Sequence, residues 1–216
     1  DVFFITEYCY KFFYLGVSMI DLDASLSSEM FAHVRVILGM IVALSFARLL
    51  NGFNQLIQSS ATRSYALIQA GWTLYLFFSL LSFWWFQVQL SQLDLWRFNH
   101  YIFLIFYVSL YFFICVFLYP DKVEPGLQRD EILIRRRKIF FLLLITLSSV
   151  DIIDTLFKGI HYFQYLGGYY LLHEAMFIIL AFIAVFVRNR YFHLSFVLFA
   201  IIEEIIWTAR QYSIMS

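Results

Sequence analysis

Apolar runs long enough to cross a bilayer recur six times along the chain, separated by short polar stretches. A spanning helix needs about 20 mostly apolar residues. The runs fall at about 32–57, 65–88, 101–119, 139–157, 169–187 and 192–212. The second carries no charge and ends in the aromatic cluster FWWF at 83–86, and the third stops at Pro120-Asp121. The pattern predicts an all-α polytopic membrane protein: a six-helix transmembrane domain over 31–216 and a separate N-terminal segment over 1–30. Within that segment Glu7 and Lys11 are four apart and share one helix face. Val2 to Ile20 is therefore expected to lie along the membrane surface as an amphipathic helix. The same two charges interrupt any signal-peptide core, so none is expected.

Composition agrees. The chain is 62% hydrophobic and 14% charged, where a soluble domain carries about 25% charged residues. With 27 Phe, 15 Tyr and 5 Trp, it holds more aromatic surface than a water-soluble fold of 216 residues hides. Lipid is thus the first expected partner, with other membrane subunits or self-association as the second. Fifteen basic and fifteen acidic residues leave no net charge, which argues against a nucleic-acid ligand. Both prolines, Pro120 and Pro125, lie in one loop, so a break within a span must have another cause. Trp84 and Trp85, with Trp72 and Trp96, are expected as an interfacial aromatic belt. Gly167-Gly168 is expected to mark the turn entering the fifth span.

Loop charge sets orientation. Arg63, Lys122, Arg129, Arg135, Arg136, Arg137, Lys138, Arg188 and Arg190 fall on one side of a six-span chain, the expected cytoplasmic side. Arg135, Arg136, Arg137 and Lys138 anchor the start of the fourth span, and both termini are expected on the non-cytoplasmic side. The run is also a contact for anionic lipid or a partner.

Against this background five carboxylates stand out: Asp151, Asp154, Glu174, Glu203 and Glu204. An Asp at a helix centre in the bilayer costs roughly 2.5–3.5 kcal/mol, so such groups mark function by default. Counted from the span ends, they converge on the outer half of the bundle, with His173 beside Glu174. Asp151, Asp154, Lys158 and His161 follow i, i+3, i+7, i+10 and are expected along one helix side. Arg35, Lys158 and Arg210 are the expected counter-ions. Glu203 and Glu204 are adjacent, hence about 100° apart, and cannot both face one partner.

Other chemistry finds little support. There is no H-E-x-x-H, no Glu-x-x-His on one span, and no spacing of Cys9 and Cys115 that suits a metal. No G-x-S-x-G occurs, so an enzyme is not expected, and the sequence names no cofactor. Arg48 is expected to snorkel or to bond backbone carbonyls.

The segments RVILGMIVALSFARLLNG (35–52), FLYPD (117–121), RRRKIFFLLL (135–144), DIIDTLFKG (151–159) and VRNRYFH (187–193) resemble a group of uncharacterised bacterial multi-pass inner-membrane proteins. The resemblance runs from about residue 30 onward. It implies a six-helix membrane fold and a bacterial inner membrane, and supplies no activity. Two functions are left by the residues: a transporter- or channel-like protein whose charged cluster is a proton, cation or ligand pathway, or an accessory subunit in which the cluster is a structural ion-pair network.

Overall fold

The computed structural model describes the backbone of residues 2–58, 63–87, 98–119 and 129–215. It describes the side chains of 29, 31–58, 66–87, 98–119, 136–159, 163–164 and 166–210. Six helices account for nearly all of it: α1 (Val2–Ile57), α2 (Arg63–Phe86), α3 (Phe98–Leu118), α4 (Arg129–Phe157), α5 (Ile160–Phe186) and α6 (Arg190–Met215). No strand occurs among the described residues. Each helix contains a stretch long and apolar enough to cross a membrane: Phe31–Ile57, Ala66–Phe86, Phe98–Leu118, Arg136–Phe157, Leu166–Phe186 and Arg190–Arg210. The chain is a multi-pass membrane protein.

The backbone of 2–30 runs without interruption into the first span, as one helix from Val2. The side chains of Glu7 and Lys11 lie outside the described residues.

Lipid removes the hydrophobic drive for helix association, so close packing must hold the bundle together. Helix α2 is the hub, packing on α1, α3, α4 and α6. At its centre Trp72 is completely buried, with the rings of Tyr75, Phe140, Phe141 and Phe196 edge-on at 5.3–5.7 Å. Trp72 therefore belongs to the core and not to the aromatic belt, because α4 and α6 close their phenylalanine rings around it. Trp85, by contrast, is exposed, and Trp96 lies outside the described residues. Small residues allow the tightest approaches. A Cβ on Gly52 would stand 2.1 Å from Tyr119 Cγ, and one on Gly71 would stand 2.9 Å from Val197 Cγ2.

Two glycines shape the junction between α4 and α5. Gly159, at φ 115°, makes the turn between them, and Gly167, at φ 70°, breaks α5 internally. Both conformations favour a residue without Cβ. Gly167-Gly168 is therefore a break at the entrance of the fifth span, Leu166–Phe186, as expected, and a short helical stretch from Ile160 precedes it. His161 follows the Gly159 turn and begins α5, so it cannot extend the α4 stripe of Asp151 and Asp154. Its side chain lies outside the described residues.

Candidate functional site

A cavity of about 80 Å³ opens among α2, α3, α4, α5 and α6, toward one end of the bundle. Connected spans run in opposite directions. The C-terminal parts of α2, α4 and α6 therefore meet the N-terminal parts of α3 and α5 here. Four carboxylates line the space: Asp151 and Asp154 from α4, Glu174 from α5 and Glu204 from α6. Lys158 and His173 are the described basic groups among the lining residues.

Each carboxylate has a different set of neighbours. Asp151 accepts from the Tyr107 hydroxyl at 2.5 Å and from the Tyr170 hydroxyl at 2.9 Å. Tyr170 also lies 3.0 Å from the Thr155 hydroxyl, which ties α4 to α5. Asp154 pairs with Lys158 Nζ at 2.7 Å, one helical turn along, and both side chains are buried. Glu174 Oε1 is 3.5 Å from His173 Nδ1, while its other oxygen, Oε2, is buried with no hydrogen-bond partner. Glu204 is 7% exposed and stands beside Ser82, whose hydroxyl contacts that of Thr208 at 2.9 Å. Gln87 adds a second buried acceptor without a donor, its Oε1.

Interhelical hydrogen bonds in membranes average about 0.6 kcal/mol and reach about 1.7. Two tyrosine bonds therefore offset part of the insertion cost of Asp151, and a close cation offsets part of that of Asp154. Glu174 has a long contact to His173 and a neighbour in the Ser148 hydroxyl, and its Oε2 is still left without a donor. That oxygen belongs to a residue lining the cavity.

Aromatic rings form the wall and floor. His173 stacks on Trp207 at 5.6 Å with planes 10° apart, and Tyr169 extends the stack. Tyr75 and Phe177 stack at 5.6 Å, and both contact the Trp72 and Phe196 cluster that fills the bundle beneath.

The remaining expected residues lie elsewhere. Glu203 accepts from the Tyr169 hydroxyl at 3.0 Å and is not among the cavity lining, whereas its neighbour Glu204 is. Arg210 sits over the Tyr169 ring at 4.0 Å, on the Glu203 side. Arg35 lies over Trp84 at 5.4 Å and Phe31 at 5.8 Å, and is likewise not a lining residue. Of the three expected counter-ions, the structure brings Lys158 to the cavity.

The opposite end is built differently. Arg48 Nη2 donates to the Tyr119 carbonyl, Gln69 Nε2 donates to the Leu118 carbonyl at 2.8 Å, and Thr73 meets the Tyr119 hydroxyl at 2.6 Å. His193 Nε2 lies 3.0 Å from the Val187 carbonyl, its ring stacked on Phe141. Of the basic run, Arg136 is half-buried, Arg137 is buried and Lys138 is exposed, while the Arg135 side chain lies outside the described residues.

Sequence reasoning passed over Tyr107, Tyr170, Ser79, Gln87 and Trp207, all of which line the cavity. One signal was present: Tyr75, Ser79 and Ser82 recur at i, i+4, i+7 on an uncharged span, a polar stripe facing inward. Tyrosine in a chain holding 15 of them carries no such signal.

Among the described residues no group of three or more His, Cys, Asp or Glu is arranged to hold a metal ion. Comparison with protein-family models, curated proteins and solved structures finds no match, so the site is read from its own geometry.

Proposed function

We propose that this protein is a small transporter-like membrane protein that takes a proton or small cation from the outer side into the carboxylate cavity. The observation that carries this reading is the imbalance of the lining. Four carboxylates face one lysine and one histidine, so two negative charges are left even when both are charged. In a low-dielectric setting such an excess is neutralised by protons or by a bound cation. The cavity is polar, reaches one end of the bundle and collects groups from five helices, which suits binding followed by helix rearrangement better than a fixed pore.

In this reading Asp151, Asp154, Glu174 and Glu204 supply the negative charge that draws the proton or cation in, His173 exchanges protons with Glu174, and Lys158 is the resident counter-ion. The end bearing Arg136, Arg137, Lys138, Arg188 and Arg190 faces the cytoplasm of a bacterial inner membrane, and both termini face away from it.

The test is proton or cation flux in proteoliposomes, followed with an entrapped pH-sensitive dye. Asp151→Asn and Glu204→Gln should abolish flux while eluting as folded protein in detergent. Flux equal to wild type in both variants rejects the reading.

A second reading, an accessory subunit of a larger membrane complex, is favoured by the packed aromatic cluster around Trp72, which fills the bundle beneath the cavity. It expects no flux in the isolated protein and stable co-purification with other subunits from native membranes.

A further inference from the structure

We propose that the cavity is a receptor for a small primary alkylammonium, whose N–H donors satisfy Glu174 Oε2 and Gln87 Oε1 and whose carbon chain lies against the Tyr75, Phe177 and Trp207 rings. This assignment rests on the cation-binding reading above and narrows it to one ligand class.

Three observations lead to it. The first is the pair of orphaned acceptors. Glu174 is 7% exposed and Gln87 is 2% exposed, both line the cavity, and each presents a buried oxygen with no donor. A guest that matches them must donate more than one hydrogen bond and must bring positive charge. A primary ammonium carries three donors on one cationic centre.

The second is that the cavity already seats an ammonium. Lys158 Nζ stands 2.7 Å from Asp154 Oδ2, with the side chain 9% exposed. The site thus tolerates an alkylammonium against a carboxylate, with its methylenes out of water. A free alkylammonium reproduces that arrangement one helix away, at Glu174.

The third is the wall. Aromatic faces attract organic cations through the ring quadrupole, and the attraction grows where water is excluded. An inorganic ion gains little from rings and wants several converging oxygens instead. No group of three metal-binding side chains is arranged for that among the described residues. The free volume of about 80 Å³ admits a guest of a few heavy atoms, such as ethylammonium.

The test uses the purified protein in phosphatidylglycerol nanodiscs and ethylammonium chloride, followed by saturation-transfer NMR. Saturable binding with a dissociation constant on the order of 1 mM is expected for three heavy atoms. Glu174→Gln should weaken it at least ~10-fold and Gln87→Leu about 3-fold, because each removes charge or an acceptor. Tetramethylammonium, which is cationic but lacks N–H donors, should bind at least ~10-fold more weakly. Gln69→Leu, at the opposite end, should bind ethylammonium as wild type does. Repeating the titration in phosphatidylethanolamine nanodiscs separates two sources of the same chemistry. A weaker apparent affinity there identifies the lipid headgroup as the natural guest, and an equal affinity identifies a free amine. The proposal is overturned by absent saturation with ethylammonium, by tetramethylammonium binding equally well, or by wild-type affinity in folded Glu174→Gln with wild-type affinity in Gln87→Leu. If the proteoliposomes move protons or sodium while ethylammonium fails to bind, the ligand class falls and the cation-binding reading stands. If neither occurs, both fall.

Discussion

The two ends of the bundle use similar polar side chains for opposite purposes. At the arginine end, Arg48, Gln69 and His193 each meet a backbone carbonyl, at Tyr119, Leu118 and Val187. Those carbonyls belong to helix ends, where four such groups lack partners within the helix. The side chains complete the backbone, and the Tyr119 ring packs directly on Gly52. At the carboxylate end, Asp151, Asp154, Glu174 and Glu204 face one another across open volume, and two acceptors have no donor. A polar residue inside a membrane protein therefore braces the fold where its partner is backbone. It is available for binding where its partner is space.

That contrast is open to attack from both sides. The largest effect is expected at the bracing end. Gly52→Val places a methyl-bearing Cβ within the Tyr119 ring and should cost about 3 kcal/mol or more, read as loss of the folded peak in detergent size exclusion. A well-folded Gly52→Val protein would mean that this end is not tightly closed. Next, Arg48→Leu strips the donor from the Tyr119 carbonyl and should destabilise by about 1–3 kcal/mol in thermal unfolding, with cavity binding unchanged in the folded fraction. At the binding end, Tyr107→Phe removes one bond to Asp151 and should cost only about 0.6–1.7 kcal/mol. It should nevertheless alter cation affinity, because Asp151 becomes a stronger competitor for the guest. The smallest effect belongs to Glu203→Gln. Its carboxylate bonds Tyr169 outside the cavity, so flux should stay near wild type, in contrast to Glu204→Gln.

Much of the fold was legible in the sequence because membrane spans announce themselves by length and apolarity. The six expected segments agree with the helices, with differences concentrated where local chemistry is ambiguous. Helix α4 begins at Arg129, since RDEILIRRRK has ordinary helix formers that an apolar count ignores. Gly167 reads as a turn signal and does break the chain where the fifth span begins, but composition did not show that the residues from Ile160 before it are helical too. The convergence of charge at one end was also readable, since depth follows from residue count. Which charges share one space was not. Separating Glu204 from Glu203, or Arg35 from the cavity, requires the rotation of each helix about its axis. The weak amphipathic pattern of a membrane helix leaves that rotation undetermined. The tyrosines were hidden for a related reason. In a chain so rich in them, only position shows that Tyr107 and Tyr170 bond Asp151 while others face lipid.

The central claim is that the cavity carboxylates, and not their neighbour Glu203, respond to a cation. Infrared difference spectroscopy of the carboxyl bands, recorded on adding ethylammonium, sodium or acid to protein in nanodiscs, reads those groups directly. The account predicts difference bands in wild type that lose intensity in Glu174→Gln and in Glu204→Gln and persist in Glu203→Gln. Carboxyl bands indifferent to all three additions, or lost only in Glu203→Gln, would contradict it.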